Sequence, residues 1–533
     1  MKDKKHKKQH GVIVWCLRAL LVATPVLIAV AIGLVNLVSR GVFAPGIKWN
    51  DEAVYLKLVE TYANMKAPVG YYGFDLEHAI WGTGSAWSPA IIWPYAALFK
   101  VIGGLVSEYS FVYVANLIFI TVANALFVVL ALPKRNQTVR LICIEATSAV
   151  LILYLCTNMS EIFRFAIAIV IAGMLYRMMY LKSIKLFRYL IVPAFILYAV
   201  QVYTFFAFAI PLYVYALRKE YSKKREFWLQ TIWAGLSTVI VGGGSYVLLH
   251  FISSNYNIAK TERLLDNLSS GQFVEAAKAL VWMVKDGLYG IYSLLFTFKT
   301  NPIYVCHLLI TFTIIAVGIA IAIRNKKGDR TLGLMAIGSV VIFFGAYATL
   351  YTIVPDTFMR GTEIVIIFAL FLLSMSESKL LIYALLLVNA LGMFALPQNM
   401  EYFTKEERYM DSAEIQEWEA LKKRFDSQIV MIDSDDPWDN TVAMYTMEPK
   451  VINTIPTGMG INFALKGYKF SDKPAYLVFT KHEKLRPDWV ETDFMPDRNT
   501  IENGLDDLYI NIYEDDEYVI YRQTNTIGRE VDE

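Results

Sequence analysis

Apolar runs of about 18 residues or more recur along most of the first 400 positions, and that repetition constrains this chain more than any motif in it. A run of that length crosses a bilayer core as a helix, because only a helix satisfies its own backbone polar groups where water is absent. With 56% hydrophobic residues over 533 positions, the soluble globular class is excluded. The spans drawn from the pattern are 12–38, 111–132, 139–156, 162–180, 189–203, 205–217, 228–251, 302–323, 331–350, 362–376 and 380–397. The expected fold is a polytopic α-helical membrane protein of about 11 transmembrane helices, with a C-terminal extracytoplasmic α/β domain.

Charge sets the orientation. Basic clusters fall in the N-terminal segment 1–11, at Lys134-Arg135 with Arg140, at Lys182, Lys185 and Arg188, at Arg218-Lys219 with Lys223-Lys224-Arg225, and at Arg324 with Lys326-Lys327. All of them fit on the cytoplasmic side if the apolar stretch 89–104 does not cross. That stretch is short and carries Pro89 and Pro94, which suits an interfacial helix. The expected map is a cytoplasmic N-terminus, a transmembrane domain over 12–397 with outer loops 39–110 and 252–301, and an outside domain over 398–533. The expected membrane is the plasma membrane. The tail supports the map, holding roughly 29 acidic and 15 basic side chains from 401 onward. Strands are expected at 428–433, 475–479, 508–513 and 517–521, after a charged helix near 413–425. An amphipathic helix is expected over 273–284.

Cys16, Cys143, Cys156 and Cys306 all sit in apolar segments and form no disulfide or metal pattern. No Walker lysine motif is present, and nothing points to a nucleic-acid partner. Gly242-Gly243-Gly244 lies within a span and suits close helix packing.

Chemistry-bearing residues gather at the ends of spans. Asp51-Glu52 follows the first span, where a carboxylate suits a general base toward an acceptor hydroxyl, or a divalent-cation ligand. The same pair suits a plain helix start, with Asn50 as cap and two acids at the positive end. Glu161 lies in a very short turn, Thr157-Asn158-Met159-Ser160-Glu161, with Arg164 one turn on. Capping by Asn158 or Ser160 and an i,i+3 ion pair are the ordinary accounts of that segment. Asp75, Glu77 and His78, with Trp81, Trp87 and Trp93, offer aromatic faces and polar groups suited to a sugar, or form an interfacial belt. Arg360, at the start of a late span, suits a phosphate or a headgroup. Lys260 and Arg263 are further phosphate candidates, and the Asp-rich loop 434–440 reads as a solvated turn.

The order of these features resembles the GT-C superfamily of membrane glycosyltransferases, in the branch of lipid A aminoarabinose transferases and protein O-mannosyltransferases. Asp51-Glu52-Ala53-Val54-Tyr55 looks like that branch's Asp-Glu-x-x-Tyr opening. Ser88-Pro89-Ala90-Ile91-Ile92-Trp93-Pro94-Tyr95, leading to Phe99-Lys100-Val101-Ile102-Gly103, is similar to its proline motif and following interfacial helix. Glu161 matches the second acidic position and Arg360 the late arginine. The chain departs from the pattern at Trp87-Ser88-Pro89, where the family carries His/Lys-Pro-Pro, and in having one acid at the second motif. The resemblance covers roughly residues 10–400. It implies a polyprenyl-phosphate sugar donor and an extracytoplasmic glycan or protein acceptor. It implies Asp51 as base, supported by Glu52 or Glu161, and a donor phosphate held by Arg360 and Arg164. Substrate contacts fall to Tyr55, His78, Trp81 and Trp87, and any divalent cation to Asp51 and Glu161. The competing class is a transporter or flippase of lipid-linked glycans, which places its polar groups near mid-membrane.

Overall fold

The protein is described by a computed structural model. It covers residues 2–40, 89–106, 110–180, 259–296, 302–324, 327–350, 355–378 and 382–393, strand segments between 430 and 524, and single positions such as Glu52, Tyr55, Val59 and Ala63. The chain divides into two compact units. The first takes in residues 1–45, 113–247 and 257–405, the second 46–112, 248–256 and 406–533.

In the first unit, α1 (Lys2–Arg40) is one long helix that includes Pro25. The kink penalty of an internal proline is tolerable in a lipid-spanning helix, where neighbouring groups re-satisfy the freed carbonyl. After α2, described below, α3 spans Phe111–Ala131. The next expected span, 139–156, is broken in two, α4 (Arg135–Thr147) and α5 (Ala149–Leu155), bent by 61°. Ser148 makes the break. Its N–H still closes on Ile144 O, and its hydroxyl accepts from Leu151 N at 3.4 Å, capping α5 as the chain changes direction. α6 follows at Glu161–Tyr180. Among the described residues, three helices are long and apolar enough to cross a membrane, Gly11–Leu34, Phe111–Ala131 and Glu161–Tyr180, or four with the bent pair. These apolar helices make the chain a membrane protein.

The segment 252–301 carries two helices, α7 (Ala259–Ser269) and α8 (Phe273–Phe296), joined at Gly271, whose φ of +74° few side chains adopt. The second runs twelve residues past the expected end at 284. α9 (Pro302–Arg324), α10 (Lys327–Leu350) and α11 (Pro355–Ser374) follow close to the expected spans. α9 and α10 pack closely at two glycines. A Cβ on Gly333 would stand 2.5 Å from Gly318 O, so the contact exists only because neither side chain is there. α11 is buried all round from Ile364 to Leu373 and packs on α6, α9 and α10. Its end is tied to the start of α4. Gln137 Nε2 donates to Met375 O at 2.7 Å, and Lys134 Nζ to Glu377 Oε1 at 2.8 Å. Ile382–Met393 forms a further apolar helix, and most of the expected spans 189–203, 205–217 and 228–251 lie outside the described residues.

In the second unit, α2 (Pro89–Ile102) is apolar, about 21 Å long and too short to cross a bilayer core upright. It ends in a 3-10 turn over Gly103–Leu105, and Phe99 meets Phe111 edge to face at 4.8 Å. The tail forms a five-stranded sheet in the order β2-β1-β3-β5-β4. The strands are β1 (Val430–Asp433), β2 (Val451–Thr454), β3 (Tyr476–Thr480), β4 (Tyr509–Glu514) and β5 (Tyr518–Gln523). β1 pairs in parallel with β2 and β3, and β5 runs antiparallel to β3 and β4. The four expected strands are present. β2 was not expected, since Val451-Ile452-Asn453-Thr454 is too short to alternate visibly. Of the expected helix 413–425, only Ala420 is among the described residues.

Candidate functional site

The site is built around the turn that joins α5 to α6. A turn between two apolar helices leaves carbonyls and amides without helical partners, and in an apolar surrounding each such group costs free energy. One side chain of α3, Asn116, meets part of that need, and a backbone amide of α3 is served by the turn in return. Asn116 Nδ2 donates to Met159 O at 2.7 Å and to Thr157 O at 3.4 Å. Tyr113 N–H donates to Asn158 Oδ1 at 3.0 Å. Asn158 or Ser160 was expected to cap the helix that follows. Asn158 serves one of the orphan amides in the first turn of α3, across the chain. Within the turn, Thr157 Oγ1 donates to Tyr154 O at 2.8 Å.

This brace holds Glu161 at the first position of α6. Glu161 is 1% exposed and Arg164 is 3% exposed. Glu161 Oε1 lies 3.8 Å from Arg164 Nη2, so the expected i,i+3 pair is present. It is no surface pair. Both charges are withdrawn from water in a polar pocket with Asn116, Thr157, Asn158 and Ser160, all buried. Glu161 Oε2 has no hydrogen-bond partner among the described residues. A buried carboxylate in a loose ion pair adds little to stability, and a group of that kind can serve a ligand, a proton or a cation.

Arg360 belongs to the same level of the bundle, and helix register gives the argument. Phe127 of α3 meets Phe371 of α11 edge to face at 5.1 Å, and a Cβ on Gly173 of α6 would touch the Phe127 ring at 3.1 Å. α3 and α6 are parallel, since Phe119 of α3 also meets Phe163 near the start of α6, and Arg177 near its end bonds Val129 O; α11 runs the same way, its end being tied at Met375 to Gln137, just past the end of α3. At about 1.5 Å per residue, Asn116, Arg360 and Glu161 each stand about 16–18 Å back from that shared contact. Position 360 is eleven residues from Phe371, which returns it to within about 20° of the same helix face. Asn116 bears the same relation to Phe127. The backbone of residue 360 therefore lies on the α3 side of α11, level with the braced turn.

Opposite that face, Thr362 is fully buried, and its hydroxyl bonds Nε2 of the equally buried His307, near the start of α9. Neither residue was singled out from the sequence. The signal was a lone histidine inside an apolar run, which on sequence alone has no partner.

In the second unit, Glu52 and Tyr55 are helical and 0% and 2% exposed. With Val59 and Ala63 they form an i, i+3, i+7, i+11 stripe, all buried. Glu52 thus heads the buried face of its helix. Asp51, His78, Trp81 and Trp87 lie outside the described residues. Among the described residues no three His, Cys, Asp or Glu side chains gather as metal ligands would.

The sequence matches no family model and no curated protein. Among solved structures, the chain is similar to the archaeal oligosaccharyltransferase AglB from Archaeoglobus fulgidus, in complex with an inhibitory peptide and a dolichol-phosphate. The identity is 12% over 89% of this chain and 70% of that one, with a TM-score of 0.48. The Archaeoglobus fulgidus oligosaccharyltransferase tethered to an acceptor peptide aligns at 10% identity over 89% and 69%, with a TM-score of 0.44. ArnT from Cupriavidus metallidurans in the apo state aligns at 11% identity over 96% and 98%, with a TM-score of 0.40.

Proposed function

We propose that this protein is a membrane glycosyltransferase of the GT-C kind, moving a sugar from a polyprenyl-phosphate donor to an extracytoplasmic glycan or protein. The observation that carries the reading is the buried Glu161–Arg164 pair, held at a helix start by Asn116 and Asn158, at the level of residue 360. The motif order from Asp51 to Arg360 supports it. In the proposed step an acceptor hydroxyl attacks the sugar C1 while Asp51 takes the hydroxyl proton. The C1–O bond to phosphate breaks, its electron pair leaves with the phosphate, and the anomeric configuration inverts. Arg360 and Arg164 stabilise the charge gathering on that phosphate. Glu52 or Glu161 supports the base, and Asp51 and Glu161 would hold a divalent cation, where one is used. Tyr55, His78, Trp81 and Trp87 contact the substrate. The N-terminus is cytoplasmic, the tail domain is outside, and the membrane is the plasma membrane.

A transporter or flippase is the second reading, favoured by the 61° break at Ser148 near a buried Glu145 that accepts from Asn124 Nδ2 at 2.6 Å. A transfer assay with a panel of polyprenyl-phosphate sugars tests the first reading, comparing the parent protein with Asp51→Asn and Glu161→Gln. Transfer is expected in the parent and lost in both variants. Undiminished transfer by Asp51→Asn would sink the catalytic assignment, and movement of lipid-linked glycan without transfer would favour the second reading.

A further inference from the structure

We infer that His307 is a positioning residue: its bond to Thr362 sets the rotation of α11 that carries position 360 onto the α3 side of that helix. The need for such a device follows from how α11 is packed. From Ile364 to Leu373 every side chain is apolar and 1% exposed or less. Apolar packing of that kind is dense but non-directional, so it resists sliding more than it selects one rotation. Directional bonds do select one. At the far end of α11, Gln137 and Lys134 tie down Met375 and Glu377. At the near end, the His307–Thr362 bond joins α11 to α9.

The geometry of the helix assigns the consequence. Thr362 and Phe371 are nine residues apart, about 180° around an α-helix, so the α9 side and the α3 side of α11 are opposite faces. Residue 360 is on the Phe371 side. Fixing Thr362 against α9 therefore fixes residue 360 on the side of the braced turn. A slip of one residue in rotation, about 100°, would turn it off that side.

The activity part of the test rests on the glycosyltransferase reading, and the cross-linking part does not. His307→Leu and Thr362→Val each remove one side of the bond. Each is expected to raise the donor KM by roughly five- to tenfold, the effect of losing one buried hydrogen bond, with kcat within about twofold. Thr362→Val is the milder change if His307→Leu does not fold. His307→Gln places an amide near the position of Nε2 and is expected to restore the donor KM, which a filler of space alone would not. The double variant is expected to be no worse than either single. An unchanged donor KM, a loss confined to kcat, or a failure of His307→Gln to rescue would overturn the inference.

For the independent arm, Arg360→Cys and Ile120→Cys are combined in a chain whose native cysteines are replaced, and bridged with a short bismaleimide. Ile120 is fully buried on the Phe127 face of α3. The cross-link is expected with His307 present, diminished with His307→Leu and regained with His307→Gln. A cross-link indifferent to residue 307, or absent with His307, would overturn the inference whether or not transfer is detected. The expected cross-linking pattern without any transfer by the parent would sink the glycosyltransferase reading and leave the positioning role standing.

Discussion

Replacing Glu161 with Gln keeps the size of the side chain and removes its charge, leaving Arg164 without this carboxylate in a pocket closed to water. The two groups are 3.8 Å apart with side-chain exposures of 1% and 4%, so solvent screening is slight. At an effective dielectric of about 20, their attraction is about 4 kcal/mol. Breaking one side of a buried pair generally costs about 3–5 kcal/mol, because the remaining charge stays buried without that partner. Removing both charges together is much milder, since the desolvation of each goes with it. The single variants Glu161→Gln and Arg164→Gln are therefore expected to lose several kcal/mol each, and the double variant less than either. Thermal unfolding of the detergent-solubilised protein, with protease resistance alongside, measures the order. Transfer activity is expected to be lost in all three, because recovered stability does not restore a charged site. If the losses in the two single variants simply add in the double, the pair is not coupled, and the reasoning from its burial fails.

Gly333→Ala would push a methyl group to 2.5 Å from Gly318 O, so the backbones of α9 and α10 must separate. A loss of about 1–3 kcal/mol is expected in thermal unfolding, against little change for Gly345→Ala, where a Cβ meets nothing within 4 Å. The hydrogen bond from Lys134, and then its charge, hold Glu377 below its ordinary value. A carboxylate whose folded value is lowered stabilises the fold above its unfolded pKa, about 4.3, and that contribution is lost as pH falls through the folded value. The Tm of the parent should therefore lose a small increment below about pH 4 that Glu377→Gln does not show, and high salt should shrink it, since the pair is exposed.

The membrane class of this chain could be read from its sequence, and most described helices begin and end within a few residues of the apolar runs. The reason is that a bilayer core tolerates almost no other backbone state, so length and composition decide. Four tail strands were readable because each lies in a run of five or six positions rich in β-branched and aromatic residues. The break at Ser148 was not readable, because Ser and Thr occur in unbroken spans as well. The extent of α8 was hidden by Lys285 and Asp286, which interrupt its apolar pattern.

The site divides in the same way. Sequence alone marked Glu161 and Arg164 as a pair one helical turn apart, because i,i+3 spacing is a local property. It also ordered the acids and the late arginine along the chain. Only the tertiary structure decided that the pair is buried, that Asn158 serves α3, and that residue 360 stands level with Glu161. Those facts depend on which helices are neighbours and how each is rotated. Packing and a few directional bonds between distant residues, such as His307 with Thr362, set both. A one-dimensional pattern carries the period of a helix and the side it hides, but it does not name the helix on the other side.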